Sequence, residues 1–483
     1  MNILFASSEI SPYAHTGGLG DVLAGLPGAL RSAGHSVSVT VPMYRIMHDH
    51  KEQPWRNTRI QYEVPVGNNR YRAQIWQGKT ANHVRLFAIE EPRLFDRQGL
   101  YGDRYGQYPD NLSRFVFFSK AVTALSQLLT PAPQILHLHD WHCALVPVFI
   151  RHLALETATV FTIHNLAYQG IFSSQDFNLL GLPKVFNSPE ILEYYGRLNL
   201  MKGGLVCADA ITTVSPTYAN EILTPAKGCG LDGVLKKYKH KLRGITNGMD
   251  NETWNPETDP HIPENYSTKH MKGKALCKRR LQEAFHLPVD ENPPLFGIVT
   301  RLVEQKGLEL TQSIVEEILR LGAQFILLGS GDASYENYFS NLAKDNPNQV
   351  SVHIGFDMPL SHLIEAGCDF FLMPSRFEPC GLSQLYSQRY GTIPIVHATG
   401  GLADTVQPWD DHALTGTGFV FKEFHKEAFL AQVLQGIRLR QSTKKWQTIR
   451  MNAMQQDFSW SGRIDEYGKS YEDALLHKSK VSN

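Results

Sequence analysis

Short apolar runs recur along the 483-residue chain, each followed by glycine-rich or polar punctuation and then by a segment of helical period. That alternation is the signature of an α/β protein. Residues 3 to 6 predict a buried strand, and a loop through Gly17, Gly18, Leu19 and Gly20 follows. Val22, Leu23, Leu26 and Leu30 then recur at the spacing of a helix with one face inward, ended by Gly34. Val37, Val39 and Val41 predict the next strand, closed by Pro42. Across residues 58 to 90 the pattern changes. Ile60, Tyr62, Val64 and Val66, then Tyr71, Ala73 and Ile75, alternate with polar residues and predict a hairpin or edge-strand insertion. Further buried strands are predicted at 135 to 139, 160 to 164, 211 to 214 and 242 to 245.

A break falls near residue 247, where Asn247, Gly248, Met249 and Asp250 lead into a polar stretch dotted with Pro256, Pro260 and Pro263, a candidate hinge or linker. The alternation then restarts, with strands predicted at 295 to 300, 325 to 329, 350 to 354, 370 to 374 and 393 to 396. Two doubly wound sheets account for this pattern. Such sheets bind ligands beyond the carboxyl ends of their strands, so two of them facing each other predict a deep cleft. From Ser461 on, Ile464, Tyr467, Tyr471 and Leu475 sit at helical spacing and predict a last packed helix.

Charge narrows the partners. Lys and Arg number 47 against 47 Asp and Glu, and this zero balance argues against nucleic acid or an anionic membrane as partner. With 42% hydrophobic and 19% charged residues the chain suits a globular enzyme, not a disordered one. No apolar run approaches the roughly 18 residues a membrane span needs. The start of the chain lacks the basic region of a signal peptide. Cys143, Cys207, Cys229, Cys277, Cys368 and Cys380 form no C-x-x-C pair, so reduced thiols and a cytoplasmic location are expected. Nothing in the sequence speaks to oligomeric state.

Six stretches carry candidate chemistry. The loop His15-Thr16-Gly17-Gly18-Leu19-Gly20-Asp21 opens a helix, where adjacent glycines admit close approach of a phosphate or sugar hydroxyl. It does not follow G-x-G-x-x-G, which argues against a dinucleotide. His137, His139, Asp140 and His142 stand at a strand end, where side chains two apart share a face. That cluster admits a zinc site or a metal-free polar cluster; the second is favoured, because Trp141 takes the place of the Asp that metallohydrolases use and no carboxylate-rich strand end adjoins it. His164 and Asn165 end another strand, in a ligand-binding position or a structural one. Arg301 and Lys306 follow a buried strand of the second half and could clamp a diphosphate. Pro374 to Leu382 place Glu378 just before a helix, suited to holding sugar hydroxyls. Thr399, Gly400 and Gly401 repeat the glycine-loop logic.

Together H-T-G-G-L-G-D-V, T-I-H-N-L-A-Y-Q-G, V-S-P-T-Y, T-N-G-M-D, the Arg301 and Lys306 pair, S-R-F-E-P-C-G-L-S-Q-L-Y and T-G-G-L-A-D-T-V resemble the bacterial glycogen synthases, glucosyltransferases similar to plant starch synthases. The match runs in order over essentially the whole chain. It implies a GT-B fold with two Rossmann-like domains: residues 1–246 completed by a helix at 458–483, and residues 247–457 for the nucleotide sugar. It implies ADP-glucose as donor, the non-reducing end of glycogen or another α-1,4-glucan as acceptor, retention of configuration, and no metal or other cofactor. By the same resemblance Glu378 holds the glucosyl hydroxyls and steadies developing positive charge, and Arg301 and Lys306 neutralise departing ADP. Asp140 and His164, with Asn165, line the sugar pocket, and Asn247 is a further sugar contact. Phe356 stacks on adenine. The glycine loop contributes His15, Gly17, Gly18 and Asp21; backbone groups of Cys380, Gly381, Leu382, Thr399, Gly400 and Gly401 bind hydroxyls and phosphate. Tyr101, Asp110 and Trp141 are candidate acceptor contacts or packing residues.

One position departs from the family. K-x-G-G-L is its usual first loop, and His15 stands here at the lysine. Lysine is charged throughout the physiological range, whereas histidine is mostly neutral at pH 7. Weaker donor binding is therefore expected. The sequence leaves two alternatives open: a related GT-B transferase using a UDP-sugar, and a glucan-binding or regulatory homologue weakened by His15.

Overall fold

The computed structural model describes residues 1–48 and 55–482; Asn483, the end of the expected C-terminal segment, lies outside them. The chain divides into two compact units, Met1–Gly248 with Trp460–Asn483, and Met249–Ser459.

The first unit is built on a nine-stranded sheet. Its order is Leu242–Gly244, Ala210–Thr213, Ala158–Ile163, Ile135–His139, Asn2–Ala6, Ser36–Pro42, Arg85–Glu90, Asn69–Lys79 and Arg56–Val66. All neighbours run parallel except around Asn69–Lys79, which is antiparallel to both its neighbours. Alternating residues in 58 to 79 form the expected hairpin, with the inward positions Val64, Val66, Ala73 and Ile75 buried. The expected insertion ran too far. Arg85–Glu90 pairs in parallel with Ser36–Pro42 and belongs to the main sheet. Its Leu86, Phe87, Ala88 and Ile89 are all buried, a continuous apolar run covered on both faces, where an edge strand would alternate.

The second unit holds a six-stranded parallel sheet ordered Val350–Ile354, Gln324–Gly329, Leu295–Val299, Phe370–Met373, Ile393–His397 and Phe419–Phe421. The last strand was absent from the sequence reading, being only three residues long after a polar stretch. Side chains of successive residues feed two separate cores. Phe296, Ile298, Phe325, Leu327, Phe370 and Leu372 enter one, and Leu295, Ile326, Leu328, Phe371 and Met373 the other. Both faces are therefore covered, as a doubly wound sheet requires.

Counting only the parallel strands in chain order, the second sheet reads 3-2-1-4-5-6, and the first reads the same way with one further strand. In this arrangement the connections leave strands 1 and 4 in opposite directions, which opens a crevice at their carboxyl ends. In the first unit that point lies between Asn2–Ala6 and Ile135–His139; in the second it lies between Leu295–Val299 and Phe370–Met373.

The C-terminal segment completes the first unit. Tyr467, Tyr471 and Ala474 of the Ile464–Ser482 helix are buried, the Tyr471 hydroxyl lies 2.9 Å from His137 Nδ1, and His477 pairs with Asp209 at 3.0 Å. Trp460 packs on the Gly18–Ser32 helix so closely that a Cβ at Gly25 would fall 2.0 Å from its indole nitrogen. In the second unit the Trp254 ring is sandwiched between His362 and Tyr386, each at 3.9 Å. His362 is tied to buried Asp259, which also accepts a hydrogen bond from Tyr390. This stack braces the Ser383–Arg389 helix that leads away from the Glu378 loop. Among the described residues no helix is long and apolar enough to cross a membrane.

Candidate active site

The expected site residues fall into two groups, one in each unit, and most follow the strands that flank its crevice; Asn247 and Phe356 instead follow the edge strands Leu242–Gly244 and Val350–Ile354. In the first unit the glycine loop is organised by Glu9, a residue the sequence reading did not single out. The Thr16 and Gly17 backbone N–H groups and the Thr16 hydroxyl donate to its carboxylate at 2.7, 3.3 and 2.8 Å, and the Tyr101 hydroxyl donates at 2.7 Å. A carboxylate accepting four hydrogen bonds holds the loop in one shape. Its signal was the strand-end position just after residues 3 to 6. Gly17 and Gly18 are exposed, and a Cβ at Gly17 would meet nothing within 4 Å, so internal packing does not call for glycine there. Half-buried His15 packs against Gly20, where a Cβ would come within 2.4 Å of its own. Asp21 is half-buried in the first helical turn, where a carboxylate complements the helix dipole.

Across the crevice, Asp140 adopts φ 57°, uncommon for a residue with a side chain, and accepts the His164 backbone N–H at 2.8 Å. His164 is half-buried with its Nε2 2.8 Å from His139 Nδ1. The Asn165 amide oxygen is used locally, by the Ala167 N–H. Asn247 is buried in the same unit with its Oδ1 lacking a partner among the described residues, which leaves an acceptor to be satisfied. His137 and His139 share a face as expected, their rings 4.4 Å apart. Both His137 nitrogens are engaged, by Tyr471 and by Thr162. Among the described residues no three His, Cys, Asp or Glu side chains are grouped to hold a metal ion. Trp141 packs against Phe115, Asp110 forms a two-pronged pair with Arg97, and Tyr101 serves Glu9.

Burial dominates the ionisation of this crevice. It holds His137 and His164 down to about 3 and His139 well below its ordinary range, so all three rings are neutral. Burial pushes the Asp140 carboxyl up to about 7, against the opposing pull of the His164 and Asn165 N–H groups. Unfolded, the same carboxyl titrates near 3.8, so the folded chain binds this proton more tightly. The stability it contributes is whole below that value and is lost as pH rises through about 7. Asp140→Asn keeps the Oδ1 acceptor and has no proton to lose. It is expected to match the parent near pH 4 and to melt a few degrees higher at pH 8, by calorimetry. Parallel melting curves at both pH values would contradict the raised carboxyl.

In the second unit Lys306 Nζ lies 2.6 Å from Glu378 Oε2, and the Ser375 hydroxyl donates to the same oxygen at 3.1 Å. The pair is largely shielded, with side-chain exposures of 18% and 7%. Backbone geometry sets it up. Gly307 turns the chain after Lys306 at φ 64°, where a Cβ would fall 1.9 Å from the Pro374 carbonyl oxygen. The Arg376 N–H donates to the Gln305 carbonyl, joining the two loops at 2.9 Å. Gly400, at φ 45°, lies against the Glu378 carbonyl, and Gly401 N–H donates to that carbonyl at 3.1 Å. Buried Cys380, Gly381 at φ 78° and Leu382 follow in the turn before the Ser383–Arg389 helix, and Thr399 N–H donates to the His397 carbonyl. Arg301 is exposed just beyond Leu295–Val299 and has no ion-pair partner among the described residues. Phe356 follows Gly355 and is 74% exposed, a large ring kept at the surface.

Residues 2–237 match the starch synthase catalytic domain, and residues 280–451 match the glycosyl transferases group 1. The chain is 44% identical over 480 residues to the glycogen synthase of Anaeromyxobacter dehalogenans strain 2CP-C, covering 98% of this chain and 99% of that one. Identity to the glycogen synthase of Myxococcus xanthus is 44% over 485 residues, with 99% of each chain covered. The chain belongs to the glycogen synthase family. Its fold is that of a two-domain GT-B glycosyltransferase: the catalytic domain of starch synthase IV from Arabidopsis thaliana, solved bound to ADP and acarbose, superimposes with a TM-score of 0.92 and 33% identity over 98% of this chain and 99% of that one. A sucrose-phosphate synthase from Thermosynechococcus elongatus, at 17% identity and a TM-score of 0.60, shares the fold alone. As a glycogen synthase family member the protein is a glycosyltransferase of glycogen synthesis, and the two crevices are the places its fold reserves for substrates.

Proposed function

We propose that this glycosyltransferase moves glucose from ADP-glucose to the non-reducing end of an α-1,4-glucan with retention of configuration, in the cytoplasm and without a metal or other cofactor. The observation that carries the reading is the shielded Lys306–Glu378 pair at the crevice of the second unit, with exposed Arg301 at the head of the loop that carries Lys306. Two cations at that strand end suit a diphosphate leaving group and supply the charge that would otherwise fall to a divalent ion. Exposed Phe356 offers a ring face for adenine. The carboxylate of Glu378 receives the glucosyl hydroxyls and steadies positive charge as the bond to ADP breaks. Its Oε2 is already engaged by Lys306 and Ser375, which favours electrostatic support over nucleophilic attack. Departure of ADP and attack of the glucan hydroxyl then occur on one face of the sugar, and the departing phosphate is placed to take the hydroxyl proton. In the first unit His164, Asn165, Asp140 and Asn247 contact sugar hydroxyls, while His15, Gly17, Gly18 and Asp21 frame the loop.

A donor panel tests the assignment. ADP-glucose with glycogen should release ADP, extend α-1,4 chains and persist in chelator; preference for UDP-glucose or loss of activity with chelator would overturn it. The His15 departure gives a sharper expectation. His15→Lys should lower the KM for ADP-glucose about tenfold or more at pH 8, because a charge-assisted contact is worth about 1.5–3 kcal/mol. Equal kinetics would show that position 15 does not sense the donor's charge.

A further inference from the structure

His139 Nδ1 and His164 Nε2 lie 2.8 Å apart, and burial keeps both rings neutral. A neutral imidazole carries one N–H, so only two proton arrangements make this bond. In the first, His139 Nδ1–H donates to His164 Nε2, leaving a lone pair on His139 Nε2 and an N–H on His164 Nδ1. In the second, His164 Nε2–H donates, leaving an N–H on His139 Nε2 and a lone pair on His164 Nδ1. His139 is fully buried, and its Nε2 has no hydrogen-bond partner among the described residues. A buried N–H without an acceptor is the costlier orphan, since buried donors are almost always paired while acceptors are more often left short. The His139 ring is packed in a cluster with Phe5, at 5.6 Å and 15°, and with His137, at 4.4 Å and 28°, rings that are themselves 4.6 Å apart. His137 is itself tied at both nitrogens, to Tyr471 and Thr162.

We infer that His139 is a positioning residue that fixes His164 in its Nδ1–H form, so that His164 offers a sugar hydroxyl a donor and not an acceptor. The sugar-facing part of this inference rests on the reading of His164 as a sugar contact; the proton arrangement does not. It also explains why a strand carries two stacked histidines behind a third: the rear ring needs a donor aimed forward and a support that keeps it from flipping.

The test uses the full chain labelled with [15N]histidine, whose long-range proton–nitrogen spectra distinguish the two tautomers. His139 and His164, assigned by substitution, are both expected to carry the proton on Nδ1; both on Nε2 would overturn the inference. His139→Phe keeps an aromatic ring in the cluster but removes the donor, so His164 is no longer held to one tautomer: part of its proton should appear on Nε2, and kcat/KM for the donor should fall severalfold. A His164 that stays wholly in the Nδ1–H form in that variant would also overturn the inference. Should the variant not fold, the parent spectrum decides. Should the parent show the Nδ1–H form but no glucosyl transfer, the functional reading fails and the tautomer assignment stands.

Discussion

Glu378→Ala is expected to lower kcat for glucosyl transfer by about 10²- to 10³-fold, the usual loss when a preorganised electrostatic group is removed from a reacting centre. Two effects add. On the proposed mechanism the glucosyl group loses the carboxylate that supports developing positive charge, and Lys306 is left in a shielded site without its partner 2.6 Å away. Breaking such a pair on one side costs about 3–5 kcal/mol, part of which will appear as a lower melting temperature. Lys306→Ala should act differently, raising the KM for ADP-glucose along with its effect on kcat, because the proposed mechanism has this lysine serve the diphosphate as well as Glu378. Steady-state ADP release at saturating glycogen separates the two variants. A Glu378→Ala enzyme within tenfold of the parent kcat would remove Glu378 from the reaction centre.

Gly400→Ala is expected to cost about 100-fold in kcat without removing any side chain of the proposed site. A Cβ at residue 400 would lie 1.9 Å from the Glu378 carbonyl oxygen, and that atom is backbone, which cannot swing aside. The φ of 45° adds strain for any side chain. Relief must come from moving the turn that carries Glu378, and a displacement near 1 Å at a reacting group is worth about 100-fold. Unchanged kinetics in a folded Gly400→Ala enzyme would show that the turn can shift without moving its carboxylate.

Much of the fold was legible because strands covered on both faces read as unbroken apolar runs, and those of the two units stand out in order. One exception is instructive. Leu86 to Ile89 form such a run, yet the alternating residues just before them suggested one continuous insertion. The strand-end rule also found both crevices, since Arg301, Glu378, Asp140 and His164 all follow buried strands. It did not reveal which side chains serve one another. Lys306 and Glu378 are 72 residues apart, and nothing local shows that they pair. The same holds for His137, offered by its spacing as a ligand, whose partner Tyr471 lies 334 residues away. Glu9 was in plain view at a strand end, but its hydrogen bonds to Thr16 and Gly17 depend on how the loop folds back.

The return of residues 460–482 to the first unit sets an order on biosynthesis. The ribosome finishes the whole of Met249–Ser459 before it supplies Trp460 and Tyr471. At about 5–20 residues per second, the first unit waits on the order of tens of seconds with its sequence incomplete. Through that interval the Gly25 groove lacks Trp460, and His137 lacks the hydroxyl that holds its Nδ1. The second unit, first to possess its full sequence, can fold while the first is still open. A nascent chain that reaches only Ser459 would therefore hold the full sequence of the Lys306–Glu378 site while its histidine stack still awaits Tyr471.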